Sequence, residues 1–303
     1  MTVAVVTGAN SGIGRQTAVD LAGKGWTVFG SMRSLDKGEK LAAMAKDAGV
    51  TVTPVVCDVT DTASVDAAIA EVTAAAGQID VMVNNAGVGG NGSVEESPIE
   101  DYATVMDVNL HGVLRCCKAV LPQMRERGNG TIVNVSSVIG RFAGPAQAPY
   151  VASKWAVEGV SEELAHEVAQ FGIRVAIIEP GIVRTAIMAK NTDVPDPTGP
   201  YAATYRRMFG FYGKGLMTPG HPHEVADVIH EAVVTDTPRL RWTCGWGGEQ
   251  LANNNVTAEQ WVELGRLADD DEYQAAFTDL YGLDIRLDSG TTESGTTESG
   301  TNA

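Results

Sequence analysis

Apolar residues in this chain come in short, nearly unbroken runs separated by longer stretches. The runs are Val3 to Val6, Trp26 to Ser31, Thr51 to Cys57, Asp80 to Val83, Thr131 to Val135 and Ile173 to Ile178. Ile132, Val133 and Val135 in one run, and Val175 to Ile178 in another, show little polar alternation, as strands buried on both faces require. The stretches between them read as helices. Repeated strand, helix, strand units predict an α/β protein: a doubly wound parallel sheet with helices on both faces.

The rhythm breaks at 186–219, where Pro195, Pro197, Pro200 and Pro219 surround Met208-Phe209-Gly210-Phe211-Tyr212. That composition suits a mobile cover over a site. A last strand is expected at Arg239 to Thr243, followed by short helices at Thr257 to Gly265 and Glu272 to Tyr281. The chain therefore divides into 1–245, a catalytic unit that includes the cover; 246–288, a helical extension; and 289–303, a Ser/Gly/Thr/Glu repeat too polar to pack and expected to be disordered.

Composition narrows the partners. Of 303 residues 44% are hydrophobic and 20% charged, enough for a substantial core, and the net charge of −16 repels nucleic acid and anionic membrane surfaces. The first residues enter a strand directly, without signal-peptide features, and no long apolar span follows, which points to a cytoplasmic protein. Cys57, Cys116, Cys117 and Cys244 lack metal-ligand spacing and are expected to be reduced thiols. No metal is expected either at His221-Pro222-His223, which reads as a helix start, or at Asp269 to Glu272, where acids suit the positive end of a helix.

The candidate chemistry lies at the carboxyl ends of the strands, the edge where open α/β sheets bind ligands. After the first strand comes Thr7-Gly8-Ala9-Asn10-Ser11-Gly12-Ile13-Gly14, whose glycines let backbone N–H groups approach a pyrophosphate at a helix N-terminus. A glycine loop alone is equally consistent with turn geometry. Asp58-Val59, Asn84-Asn85-Ala86-Gly87 and Pro180-Gly181-Ile182-Val183-Arg184-Thr185 follow the third, fourth and sixth strands. The fifth strand runs into Ser136-Ser137, and Tyr150 and Lys154 follow at i and i+4 on one helix face. An ammonium beside a phenol lowers a pKa that starts near ~10 and lets Tyr150 exchange a proton with a substrate oxygen. Ser137 would hydrogen-bond that oxygen, and Asn109 would hold a water that passes the proton on. Taken alone, such a Tyr/Lys pair more often merely decorates an amphipathic helix.

The ordered set Thr7 to Gly14, Asn84 to Gly87, Asn109, Ser137, Tyr150, Lys154 and Pro180 to Thr185 resembles the short-chain dehydrogenase/reductase family over residues 3 to about 245. The resemblance implies a single Rossmann-type domain, hydride exchange with a nicotinamide, and catalysis by Asn109, Ser137, Tyr150 and Lys154. It also implies that Lys154 meets the nicotinamide ribose and that Ile182 and Thr185 meet the nicotinamide end. The cofactor residues are thus Gly8, Asn10, Ser11, Gly12, Ile13, Gly14, Arg33, Ser34, Asp58, Val59, Asn85, Ala86, Gly87, Tyr150, Lys154, Pro180, Gly181, Ile182 and Thr185. Residues 246–288 extend beyond where family members often end, which puts pocket shape and subunit contacts in question.

NADP(H) is the expected cofactor, with NAD(H) also admitted. The second strand ends in Met32-Arg33-Ser34 rather than in the acid that would accept from an NAD ribose and repel a 2′-phosphate, and Arg33 and Ser34 suit that phosphate. Arg33 as a solvated loop residue would leave the choice open. Trp155, Met188, Met208, Phe209, Phe211, Tyr212, Met217 and Trp246 are candidates for an apolar pocket, with Arg206 and Arg207 leaving an anionic substrate open. The expectation is an NADP(H)-linked reductase of a moderately large, apolar ketone or alcohol, cytoplasmic and a homodimer or homotetramer. A dinucleotide sensor or scaffold without turnover, and an epimerase or dehydratase using nicotinamide transiently, are the alternatives.

Overall fold

A computed structural model describes residues 1–185, 187 and 192–286. Seven strands form one parallel sheet in the order β3-β2-β1-β4-β5-β6-β7. They are β1 (Val3–Val6), β2 (Thr27–Met32), β3 (Val52–Val56), β4 (Val81–Asn84), β5 (Gly130–Val135), β6 (Ile173–Pro180) and β7 (Arg241–Cys244). The order reverses between β1 and β4, so the connections from those two strands leave in opposite directions and open a crevice at their carboxyl ends.

The unbroken apolar runs have the expected cause. Along β1, Ala4 and Val6 join the core on one face of the sheet with Leu21, Ile178 and Ile229, while Val3 and Val5 join the core on the other with Ile69, Val72 and Ile132. Helix α1 (Gly12–Gly23) packs against the helix Pro222–Val234 on the first face. On the second, α3 (Thr62–Ala76) packs against α5 (Gly112–Arg127). Helix α6 (Ala148–Ala169) lies along β6 and carries Tyr150 and Lys154.

The segment read as a mobile cover contains a regular helix, Ala202–Met217. Three glycines within it, Gly210, Gly213 and Gly215, argue locally against helix, but tertiary packing decides. A Cβ on Gly215 would lie 2.2 Å from Ile182 Cδ1 and 2.8 Å from Trp246 Cε3, so glycine is what allows the helix to seat there. The remaining helices, Gly248–Ala252, Ala258–Arg266 and Asp270–Tyr281, close a third core in which Phe211 meets Phe142, Leu251, Leu264 and Phe277. The extension beyond residue 245 is therefore a support for the cover helix. Thr257 forms a capping box with Gln260, and Asp269 accepts from the N–H groups of Asp271 and Glu272, so the acidic run there is a helix start. Met188 and the polar repeat at 289–303 lie outside the described residues.

Candidate active site

The ends of β1 and β4 are stapled together where the strand order reverses. Thr7 Oγ1 accepts from Asn85 N at 2.9 Å and Ala86 N at 3.0 Å, and Asn85 Nδ2 donates to Thr7 O at 2.8 Å. Gly8 (φ +68°) and Gly12 (φ +51°) take left-handed backbone that other residues rarely adopt. A Cβ on Gly14 would fall 2.7 Å from Gly8 O, so this third glycine packs beneath the loop. Ser11 caps α1 without a side-chain cap bond, and no acid occupies the first turn, which leaves its hydroxyl and the positive helix end to the crevice. These are the features a pyrophosphate needs.

A cavity of about 550 Å³ runs from this loop along the carboxyl edge of the sheet. It brings together Gly8, Asn10, Ser11, Gly12, Ile13, Arg33, Asp58, Val59, Asn85, Ala86, Gly87, Ser137, Tyr150, Lys154, Pro180, Gly181, Ile182 and Thr185. Gly14, Ser34 and Asn109 are not in its wall. The Ser34 hydroxyl bonds Asp36 instead, and Arg33 has Lys37 as its neighbour at the cavity mouth. Lys37 was not legible in the sequence because it arrives through a 3₁₀ turn, Leu35–Gly38, that carries no motif.

Ser137, Tyr150 and Lys154 meet where β5, α6 and β6 converge. Pro149 in the first turn of α6 fixes the helix start, and Tyr150 and Lys154 follow one turn apart. Ser137 Oγ accepts from Ile139 N and donates to Pro180 O, each at 3.3 Å, and its hydroxyl favours the ionised form of Tyr150. Lys154 Nζ donates to Val135 O at 2.9 Å and stands 5.7 Å from the Tyr150 ring centre. The expected lowering of the Tyr150 pKa is reversed here: burial pushes the phenol up, against a smaller opposing pull from Ser137. Burial also draws Lys154 down to about 8, opposed by the charge of Glu158. Asn109 is buried in a π-turn, Asp107–His111, with Nδ2 donating to Val88 O at 2.9 Å and Ser153 Oγ at 3.0 Å, and Oδ1 accepting from Val88 N at 2.8 Å. Its amide braces the segment after β4 against α6.

Asp58, on the cavity wall, is partly enclosed. Burial favours its neutral form, but hydrogen bonds from Thr60 and the charges of Arg33 and Arg115 hold the carboxyl below its ordinary range. The opposite end of the cavity is apolar, lined by Val88, Ile139, Ile182, Ile187, Phe211 and Tyr212. Phe211 packs edge-on to Trp246 at 5.4 Å and Phe277 at 6.0 Å between ring centres. Gln147 Nε2 donates to the Tyr212 hydroxyl, fixing that ring beside Tyr150. The two arginines of the cover helix are committed: Arg206 and Arg207 pair with Asp270 at 3.0 and 2.9 Å, and Arg207 lies 4.3 Å over the Tyr273 ring. Among the described residues no group of three His, Cys, Asp or Glu side chains converges as metal ligands, and no helix is long and apolar enough to cross a membrane.

The short chain dehydrogenase family profile matches residues 2–195. The chain is 35% identical over 246 residues to the 3-ketodihydrosphingosine reductase of Bacteroides thetaiotaomicron, covering 80% of this chain and 87% of that one. A short-chain dehydrogenase from Streptomyces avermitilis superposes with a TM-score of 0.75 at 34% identity, over 88% and 98% of the two chains. Solved relatives carry either dinucleotide. An actinorhodin polyketide ketoreductase variant was solved with NADPH (TM-score 0.69, 33% identity, 83% and 97% covered), and a Burkholderia phymatum relative with NAD (0.69, 29%, 79% and 87%). With the parallel sheet, the glycine crevice and the Ser137, Tyr150 and Lys154 cluster, these matches make the chain a member of the short-chain dehydrogenase family.

Proposed function

We propose that the protein is an NADP(H)-linked oxidoreductase interconverting an alcohol and a ketone of moderately large, apolar character. One observation carries this reading: Ser137, Tyr150 and Lys154 line the same cavity as the glycine loop, which supports a reacting carbonyl beside a dinucleotide. Gly8 to Gly14, Asn85 to Gly87, Lys154 and Pro180 to Thr185 would hold the dinucleotide, which would supply a transferable hydride. Ser137 and Tyr150 polarise the carbonyl oxygen, and Tyr150 delivers its proton. Arg33 and Lys37 at the cavity mouth supply positive charge suited to a 2′-phosphate. The apolar far end, with Arg206 and Arg207 committed to Asp270, favours an uncharged substrate. The intact Ser137, Tyr150 and Lys154 set argues against a sensor without turnover, and an epimerase would show no net cofactor consumption.

Burial raises the Tyr150 pKa, so the neutral phenol that reduction needs prevails at and below neutral pH. Carbonyl reduction should hold there and fall as pH rises through that pKa, while alcohol oxidation gains at alkaline pH. Tyr150→Phe should lower kcat by ~10² or more with NADPH still bound, as expected for loss of a general acid. Turnover near the wild-type rate in that variant would refute the assignment. The thiols of Cys57, Cys116, Cys117 and Cys244 are all free, consistent with a cytoplasmic setting. Half-exposed Trp155 on α6 offers an apolar contact for the homodimer or homotetramer, which sedimentation would read directly.

A further inference from the structure

One turn beyond Lys154 on α6 stands Glu158, and the two side chains are almost equally inaccessible, with Lys154 7% and Glu158 5% exposed. A second buried acid lies beside it: Glu179 on β6, 1% exposed. Arg241 on β7 joins the pair, its Nε 3.2 Å from Glu158 Oε2 and 3.1 Å from Glu179 Oε1, and its Nη2 reaches exposed Glu162 at 2.6 Å. Arg141 approaches Glu179 Oε1 at 3.2 Å. The chain makes room for this cluster at Gly140, where a Cβ would fall 2.8 Å from Glu158 Cγ, 3.0 Å from Ser136 Oγ and 3.1 Å from Lys154 O. Glu158 Oε1 is fully buried with no hydrogen-bond partner among the described residues.

Burying a carboxylate with one oxygen unbonded is costly, and so is burying an ammonium beside a carbonyl. Each cost falls if the two charges face one another along the same helix. The charged groups around Lys154 are Glu158 on its own helix, Glu179 from β6, Arg141 after β5 and Arg241 from β7; Tyr150 is its titratable neighbour toward the cavity. Both arginines are spent on the acids. Glu158, one turn along the same buried helix face and with one oxygen left unbonded, is the acid best placed to attract the Lys154 proton, although the two form no direct ion pair.

We propose that Glu158 is a positioning residue of this enzyme, whose carboxylate, held by Arg241, favours the protonated form of Lys154 inside the cavity wall. The inference takes from the proposed function only the need for a charged Lys154. The titration directions agree with the geometry. Burial draws Lys154 down to about 8 and Glu158 opposes it, while burial and then the Glu158 charge push Glu179 up to about 7. Glu158→Gln removes the attraction, so Lys154 should deprotonate at lower pH.

Competitive acetylation of Lys154 by acetic anhydride, followed across pH by mass spectrometry, reads the midpoint without turnover. In Glu158→Gln it should fall by about one pH unit, a tenfold change in the proton equilibrium, with the alkaline limb of carbonyl reduction moving the same way. Glu158→Asp, which keeps the charge, should recover part of the shift. An unmoved or raised midpoint in folded Glu158→Gln protein overturns the proposal. If that variant does not fold, Arg241→Gln replaces it: losing the guanidinium that favours ionised Glu158 should move the midpoint down, and no movement overturns the proposal equally. A midpoint that falls in protein that reduces no carbonyl compound supports the role of Glu158 and refutes the reductase reading instead.

Discussion

At the glycine-loop end the cavity is walled by main chain, and at the apolar end by side chains. The first wall is made by Gly8, Gly12 and Gly14, by the free end of α1 and by the Thr7 to Asn85 staple, all within a few residues of β1 and β4. The second is made by Ile139, Ile182, Phe211 and Tyr212, from three separate segments, and it keeps its shape because Phe142, Trp246, Phe277 and Tyr281 pack behind it. A wall of backbone admits one class of ligand and tolerates little change. A wall of packed rings can be recut by substitution, which suits a family whose members share a cofactor site and differ in substrate.

The comparison is broken most severely at Phe277, 1% exposed and stacked 4.5 Å from Tyr281. Phe277→Ala should cost ~3–5 kcal/mol of stability, the range for an aromatic core truncation, and raise KM for the carbonyl compound while leaving the NADPH Kd unchanged. Denaturant unfolding with fluorescence binding checks both, and a weakened NADPH affinity would show that the two ends are one mechanical unit. At the other end, Arg33→Ala should cost roughly 1.5–3 kcal/mol of NADPH affinity, the scale of a hydrogen bond to a charged group, and leave NADH almost untouched. Equal losses for both dinucleotides, or a wild-type preference for NADH, would remove the 2′-phosphate assignment. The smallest effect is expected from ending the chain at Asp288, because the removed segment carries a single small apolar residue, Ala303. Melting temperature and activity should both be unchanged, and a fall in either would extend the packed substrate end into the tail.

The same contrast explains what the sequence disclosed. The strands and their parallel order follow from apolar runs that periodicity reports directly, and the glycine loop, Asn85 to Gly87, Ser137, Tyr150 and Lys154 stand at spacings set by strand-to-helix turns. Lys37, Gln147 and Glu158 escaped because each acts through contacts that depend on the finished fold: Gln147 holds Tyr212 across 65 positions of chain, and Glu158 meets Arg241 across 83. The electrostatics of Tyr150 came out reversed for a related reason. Helical spacing gives the proximity of Lys154, but burial, which raises the phenol, appears only when the sheet and α6 close around it. The cover helix was masked by its prolines and glycines, whose local cost the aromatic core outweighs.

The central claim is that this cavity passes a hydride directly between a nicotinamide and a carbonyl carbon. NADPH carrying deuterium at the transferable position, incubated with a panel of apolar ketones, tests it most directly when the products are weighed by mass spectrometry. The account predicts an alcohol with one deuterium on the carbinol carbon, formed in step with NADPH loss and suppressed by ~10² or more in Tyr150→Phe. Product without deuterium, or turnover without net NADPH consumption, would contradict it.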